Sequence, residues 1–340
     1  MTTTTEIATT QILSYATIED CLGPAASRFF GAGFRRVGHT LADLAVRPAP
    51  AGGEVTATAG IRYPEGWSVR DARDAPKPHL STIDTLTIAV QAAEAYLIQA
   101  FGLIEADRRR MWLRSYTMRA GTKPQEDLAA VPVRGSALHT IPVLAGLCRA
   151  VTTFDVEVGL MRVRLEIEHD LRNLSNAVGR WADAEEVLGA AEGRYFGRGF
   201  RSRSQEIRAV DVDIADGRVV ALIRSGAEVA AGPDGAGGFA AEYEPSLSMV
   251  DAIVALAQLA QAVMYGLDGV ERKQTGTLWM RRMAMSALTP YQPLGNAFVS
   301  SLSVAGRRLD RGGVSWRVYE VAGSFQGISS SASLAYTVHS

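Results

Sequence analysis

Leu22-Gly-Pro-Ala-Ala-Ser-Arg-Phe-Phe-Gly-Ala-Gly-Phe-Arg35 decides the fold, because the chain contains this stretch twice. The second copy is Leu188-Gly-Ala-Ala-Glu-Gly-Arg-Tyr-Phe-Gly-Arg-Gly-Phe-Arg201, in which nine of the 14 positions are identical at an offset of 166 residues. In both copies two glycines flank a single residue, which predicts a tight backbone bend that leads into a strand. A phosphate cradle is the alternative, although the strand-then-helix context of a dinucleotide motif is missing.

Two further matches continue the repeat at an offset of 167 residues. Leu80–Asp84 matches Leu247–Asp251, and Trp112–Arg114 matches Trp279–Arg281. Three collinear matches indicate that one unit has been duplicated, so the chain is interpreted as two copies of that unit.

The repeat divides the chain of 340 residues into four segments. Residues 1–16 are predicted to be a disordered N-terminal arm, since they have neither the basic region nor the apolar region of a secretory signal. Residues 17–170 are the first repeat and residues 183–340 are the second. Residues 171–182 are polar and form the predicted linker.

Each repeat has one long apolar segment, at about Ser81–Phe101 in the first copy and Ser248–Tyr265 in the second. The apolar residues of these segments run nearly all the way round a helix, which is typical of a helix buried on most sides. The segments around them alternate between apolar and polar residues, as strands do, and Thr153–Glu168 is predicted to be one of these strands.

This pattern predicts an α+β protein, in which each repeat is one long buried helix wrapped by about five or six antiparallel strands. That arrangement is the hot-dog fold, and two in tandem make a double hot dog. The two sheets are expected to pair edge to edge into one continuous sheet, because this pairing covers edge strands that would otherwise be exposed. A duplicated β-sandwich is the alternative, and the long helix at the same place in each copy argues against it.

Composition and charge exclude several classes of function. The chain has 35 Lys and Arg residues against 36 Asp and Glu residues, which argues against a nucleic acid or an acidic membrane as a partner. No apolar run reaches the roughly 18 residues of a membrane span. Cys21 and Cys148 are isolated, which predicts reduced thiols in a cytoplasmic protein. The five histidines lack the spacing of metal ligands, so no metal is expected.

Polar residues recur at matching positions of the two buried helices. Asp84 and Asp251 lie in the first turn, and Gln91 and Gln258 follow seven residues later on the same helix face. A serine three residues before each aspartate gives the spacing of a capping box. The structural interpretation is therefore helix capping and attachment of the helix to the sheet. The functional interpretation is a carboxylate that acts in acid–base chemistry beside a substrate channel at the seam of the two repeats.

The two copies differ beside the first helix. His79 precedes this helix, whereas Ser246 occupies the corresponding position of the second copy. We predict that His79 acts as a base with Asp84 as its orienting acid, although a loop histidine can also be merely exposed. Glu94 is replaced by Gln261 in the second copy, which suggests one working site and one structural site.

The predicted substrate-binding residues lie on the helices and on the strand that follows the first helix. Trp112 and Arg114 are assigned to that strand, where core packing is the alternative role for the tryptophan. The full predicted set is Gln91, Glu94, Trp112, Arg114, Asp251 and Gln258.

Two motifs resemble those of the AvrD family, the syringolide-biosynthesis proteins. They are Leu-Gly-Pro-x-x-x-Arg-Phe-Phe-Gly-x-Gly-Phe at 22–34 and His-Leu-Ser-Thr-Ile-Asp at 79–84, and the resemblance extends from about Thr17 to the end of the chain. The family is similar to the A-factor biosynthesis hot-dog proteins, which join a β-ketoacyl thioester to a small polyol. The resemblance implies a synthase that condenses a β-ketoacyl group, carried by an acyl carrier protein or CoA, with a sugar such as a pentulose. The product would be a syringolide-like or butenolide-like signal molecule.

A second resemblance is to the helix start of hot-dog dehydratases and thioesterases. Pro245-Ser-Leu-Ser-Met-Val-Asp251-Ala252 is similar to that pattern, and it puts Asp84 and Asp251 at the acid position. The glycine of the pattern is absent and the upstream histidine has no clear counterpart, which argues against dehydration. A non-catalytic acyl-thioester-binding protein, a dehydratase and a thioesterase remain alternatives. No cofactor is expected beyond the thioester itself, and the protein is expected to be a monomer or a homodimer.

Overall fold

The computed structural model describes residues 11–69, 77–143, 148–227, 237–272, 278–311 and 314–337. Within these ranges the strands, in chain order, are β1 (Ile12–Thr17), β2 (Gly38–Arg47), β3 (Gly53–Arg62), β4 (Trp112–Arg119), β5 (Val131–Pro142), β6 (Arg149–Val158), β7 (Met161–Asp170), β8 (Gly179–Asp183), β9 (Arg203–Asp213), β10 (Arg218–Ala227), β11 (Trp279–Ala287), β12 (Phe298–Arg311), β13 (Val314–Phe325) and β14 (Ile328–Thr337). The α-helices are α1 (Ile18–Leu22), α2 (Thr82–Phe101), α3 (Glu105–Arg109), α4 (Glu185–Leu188) and α5 (Met249–Asp268).

The strands form one 14-stranded sheet in the order β1-β9-β10-β12-β13-β14-β11-β4-β7-β6-β5-β3-β2-β8. All pairs are antiparallel, and β11 with β4 joins two halves whose strands follow an equivalent order from the seam outwards. One continuous sheet is thus confirmed, and a duplicated β-sandwich is wrong. Each half contributes seven strands rather than five or six. One reason is that the predicted strand Thr153–Glu168 is a hairpin, in which Gly159 turns with a φ of 54°.

The two long helices form the core of the halves and pack against the concave side of the sheet. Ser81 and Ser248 are their N-caps, each in a capping box with the aspartate three residues later. Gly102 and Gly269 end them in the left-handed conformation, which glycine adopts without steric cost. The helix α5 has the length and hydropathy of a membrane span, but 83% of its most apolar window is buried inside the protein.

The halves exchange their outermost strands. β1 precedes the first repeat in the chain but pairs with β9 of the second half, where Tyr15 lies opposite Val210. β8 precedes the second repeat but pairs with β2 of the first half, where Trp181 lies opposite Leu44. The segment before each repeat therefore completes the sheet of the other half.

This exchange corrects two of the predicted boundaries. Residues 12–16 of the predicted disordered arm belong to β1, and residues 179–182 of the predicted linker belong to β8. Both segments are short, at six and five residues, so their sequences give only a weak strand signal. Residues 1–10 lie outside the described residues.

Candidate functional site

A cavity of about 820 Å³ lies between the two halves, and we call it the seam cavity. Residues 79–82 at the start of α2 form one side, and four residues of α5 form another: Leu256, Ala257, Ala260 and Gln261. Strands from β11 to β14 contribute apolar side chains such as Met283 and Leu334. A volume of this size is typical of small-molecule sites.

Aromatic rings line one wall of the seam cavity. The ring of Trp67 lies 5.5 Å from Phe29 and 4.9 Å from Tyr63, measured between ring centroids. His79 lies 6.3 Å from Trp67 and 5.2 Å from Trp279. The wall is therefore a nearly continuous aromatic surface, which suits an apolar ligand chain.

The charged residues on the described lining of the seam cavity are all basic. The described lining contains no Asp or Glu, and its charged members are Arg28, Lys123, Arg272, Arg281 and Arg307. A cavity with apolar walls and cationic groups favours a ligand that combines an apolar part with an anionic part.

Asp84 lies behind the cavity wall and is almost fully buried. Its Oδ1 atom accepts a hydrogen bond from His39 Nε2 at 2.7 Å. Its Oδ2 atom accepts from the backbone N–H of Ser81 at 2.9 Å, from the Ser81 hydroxyl at 2.7 Å and from the Tyr63 hydroxyl. The carboxylate thus has a donor at each of its oxygens.

These donors keep Asp84 ionised. Burial alone raises the pKa of Asp84, but the hydrogen bonds from His39, Tyr63 and Ser81 outweigh it and hold the pKa below its usual value. Burial and the adjacent carboxylate raise the pKa of Tyr63 well above that of a free tyrosine, so its hydroxyl stays protonated. A general acid needs a raised pKa, so the lowered one favours the capping and orienting interpretation of Asp84.

The predicted pair of His79 and Asp84 is not formed, which corrects the sequence-based assignment. His79 lines the seam cavity, and its Nδ1 atom is 3.0 Å from the carbonyl oxygen of Lys77. A carbonyl oxygen only accepts, so Nδ1 carries the hydrogen and the Nε2 of neutral His79 keeps a lone pair. The carboxylate instead contacts His39, because β2 brings this residue to the start of α2.

His39 and Tyr63 are therefore the site residues that sequence reasoning missed. Both lie in the first half and have no identical partner at the matching position of the second half, so the repeat gave no signal for them. His39 Nδ1 is buried without a hydrogen-bond partner among the described residues. The adjacent ring of Phe200 comes from the second half, 6.3 Å from the His39 ring.

The matching place at the start of α5 holds only a pocket of about 60 Å³. Trp112 and Leu113 of β4 line it together with Tyr195, Phe196 and Phe239. The ring of Phe239 lies 5.4 Å from that of Phe196 and is 3% exposed, so aromatic side chains fill the space. The expectation of two unequal sites agrees with this difference in volume.

Asp251 and Glu94 both lie in this second, filled region. Asp251 accepts hydrogen bonds from the backbone N–H of Ser248 at 2.8 Å and from the Tyr195 hydroxyl at 3.1 Å. Glu94 forms a buried ion pair with Arg108, with 2.8 Å between Oε1 and Nη2. Burial raises the pKa of Glu94, against the opposing effect of Arg108. Neither carboxylate is among the residues that line the seam cavity.

The two glutamines link the halves. Gln91 accepts a hydrogen bond at 3.1 Å from Nη1 of Arg194, which lies in the repeated motif of the second half. Gln258 accepts reciprocally, at 2.5 Å, from Nη1 of Arg28 in the first motif. Neither glutamine is among the residues that line the seam cavity or the smaller pocket. Their recurrence is explained by this reciprocal contact.

The repeat partners of Trp112 and Arg114 reach the seam cavity, whereas Trp112 and Arg114 do not. Trp279 and Arg281 of β11 line it, because β11 and β4 meet at the seam and each faces the helix start of the other half. Arg114 lies over the ring of Trp112, with its Cζ 5.5 Å from the ring centroid. Residues of the predicted types therefore line the seam cavity in the second copy.

Among the described residues, no three His, Cys, Asp or Glu side chains converge as metal ligands would.

The family model "Pseudomonas avirulence D protein (AvrD)" matches residues 13–339. No curated protein matches the chain. A conserved hot-dog protein of unknown function from Alicyclobacillus acidocaldarius is 10% identical, with 87% of this chain and 96% of that one covered and a TM-score of 0.36. The 12:0-ACP thioesterase of Umbellularia californica is 8% identical, with 84% and 94% covered and a TM-score of 0.39. At scores this low, neither similarity carries an argument about this chain.

Proposed function

Because the chain belongs to the AvrD family, we propose that it transfers a β-ketoacyl group from a thioester to a hydroxyl group of a sugar or small polyol. The seam cavity carries this proposal, since its volume of about 820 Å³ and its aromatic wall suit a medium-length acyl chain. The acyl donor is an acyl carrier protein or CoA. The product is a syringolide-like or butenolide-like signal molecule.

The same proposal assigns each half to the hot-dog fold. The long helix buried against antiparallel strands in each half supports this assignment. The substrate site then lies at the seam of a tandem double hot dog, beside the start of α2.

The residues at the start of α2 support acyl transfer. Neutral His79 accepts the proton of the acceptor hydroxyl at Nε2 as the hydroxyl oxygen bonds to the thioester carbonyl carbon. The carbon–sulfur bond then breaks, and the proton passes from His79 to the leaving sulfur. The backbone N–H of Thr82, the first residue of α2, has no partner within the helix and suits the developing negative charge on the carbonyl oxygen.

A turnover assay tests the proposal. The protein is incubated with 3-oxodecanoyl thioester, a pentulose and a chelator, and the products are followed by mass spectrometry. We expect an acylated sugar, and His79→Gln should lower its rate of formation about 10²–10⁴-fold. His139→Gln is the matched control, because His139 is exposed on β5 and does not line the cavity.

Three results would contradict the proposed function. Release of the free β-keto acid alone would indicate a thioesterase, and tight binding without turnover would indicate a binding protein. Loss of the adduct on addition of chelator would indicate metal-dependent chemistry. Full activity of His79→Gln would show that His79 is not the base, but it would not contradict the proposed reaction.

A further inference from the structure

Arg28 is a buried cation on the wall of the seam cavity, with 3% of its surface exposed. Its Nε donates to the carbonyl of Gly23 at 2.9 Å and its Nη1 donates to Gln258 at 2.5 Å. Within the described residues, Nη2 makes no hydrogen bond and no carboxylate comes within ion-pair distance. Burial lowers the pKa of Arg28 to about 10, although the charge of Glu19 raises it in part. The guanidinium therefore remains charged at pH 7.

The same arginine in the other half has a carboxylate beside it. Arg194 repeats the bonds of Arg28, donating to the carbonyl of Gly189 at 3.0 Å and to Gln91 at 3.1 Å. Glu94 follows Gln91 by three residues and offsets the effect of burial on the pKa of Arg194. In this half a buried carboxylate, which also pairs with Arg108, thus offsets part of the charge of Arg194, in the place where the aromatic side chains fill the pocket.

Gln261 occupies the position of Glu94 in the half that faces the seam cavity. It is 9% exposed, it lines the cavity, and its amide has no hydrogen-bond partner among the described residues. Replacing the carboxylate with an amide removes the charge that would neutralise Arg28. The result is a buried cation without a paired carboxylate and an unpartnered amide among the described residues, both on the lining of an open cavity.

We infer that Arg28 and Gln261 form an anion subsite of the seam cavity, which takes a phosphate monoester or a carboxylate of the ligand. Arg28 Nη2 donates to the anion and the Gln261 amide supplies a second donor. The aromatic wall takes the apolar part. This inference deepens the proposed function, because it adds that one of the substrates carries an anionic group besides the reacting thioester or hydroxyl.

Equilibrium binding tests the subsite without requiring turnover, so its failure is distinct from failure of the proposed function. Ribulose 5-phosphate, unphosphorylated ribulose and 3-oxodecanoate are titrated by calorimetry. We expect at least one anionic probe to bind more tightly than ribulose. Binding of the phosphate ester assigns the anion to the sugar, and binding of the keto acid shows that the subsite takes a carboxylate joined to an apolar chain.

The informative variant is Gln261→Glu, which restores beside Arg28 the carboxylate that the other half has in Glu94. We expect it to lower the affinity for the anionic probe about tenfold or more through charge neutralisation, without lowering the midpoint of thermal unfolding. Gln99→Glu is the matched control, since it makes the same chemical change on α2, away from the cavity. Three results would overturn the subsite. They are an unchanged affinity of Gln261→Glu for the anionic probe, an equal loss of affinity in Gln99→Glu, and no binding of either anionic probe to the wild type.

Discussion

Tyr63 presents the hydroxyl group that links the seam cavity to the buried Asp84. Its ring lies on the cavity wall against Trp67, while its hydroxyl donates to the carboxylate. Since the proton is directed to Asp84, the lone pairs of the phenol oxygen remain for a hydroxyl group of the substrate. The proposed function therefore gives Tyr63 a positioning role that depends on a single oxygen atom.

We predict that Tyr63→Phe lowers kcat about 10²-fold and keeps the aromatic wall, because only the hydroxyl is lost. The loss of one hydrogen bond to a charged group should also lower the free energy of unfolding by about 2 kcal/mol. Steady-state kinetics and urea denaturation measure the two effects separately.

Tyr195→Phe is the matched control for this prediction. It removes the tyrosine hydroxyl that contacts Asp251 in the filled pocket, so it should reduce stability to a similar extent and leave kcat unchanged. Equal effects of the two variants on kcat would show that the hydroxyl of Tyr63 acts only through stability.

The two arginine–glutamine contacts hold each long helix to the motif of the opposite half. Gln91→Leu leaves the buried guanidinium of Arg194 without one of its acceptors, and we predict a loss of about 1–3 kcal/mol in the free energy of unfolding. Arg194→Met should also destabilise the protein. The double variant should lose less than the sum of the two single losses, by about 1 kcal/mol or more, because the residues contact each other. Additive losses in a urea-denaturation cycle would contradict this direct contact.

Sequence reasoning predicted the elements that have strong local signals. The helix starts at Ser81 and Ser248 followed from the capping box, and the structure places both N-caps there. The pairing of the two sheets followed from the need to cover edge strands. The sequence predicts an end at Tyr265, three residues before the observed end at Asp268, because Gly266 interrupts the apolar run before the capping Gly269.

The site was harder to predict, because its contacts join residues that are distant in the chain. His39 reaches Asp84 over 45 residues, and Gln91 reaches Arg194 over 103 residues. Spacing along a helix showed that Gln91 is polar in an apolar segment, but it could not show which half supplies the partner. For the same reason, spacing could not show that Trp279 rather than Trp112 lines the seam cavity, since the seam brings each strand to the helix of the other copy.

At the scale of the whole molecule, the duplication produced two halves that each supply structural parts of the other. Each half takes its outermost strand, its arginine partner for the long helix and one wall of its pocket from the other half. Separate halves would therefore lack an edge strand and expose the seam. Because these contacts are reciprocal, one copy could lose its open pocket while both halves remained necessary for folding.

The exchanged strand β1 makes this dependence measurable. Deletion of residues 2–16 removes one of the two strands that pair with β9, and backbone groups of β9 that β1 had covered become exposed to water. We predict faster amide hydrogen exchange in β9 of the second half, and no change in β2, although β2 lies closer to the deletion in the chain. The converse control is Trp181→Pro in β8, which should increase exchange in β2 and leave β9 protected. If residues 2–16 were a disordered arm, the deletion would instead leave amide exchange unchanged throughout the sheet. Increased exchange confined to the first half would mean that β1 pairs within its own repeat.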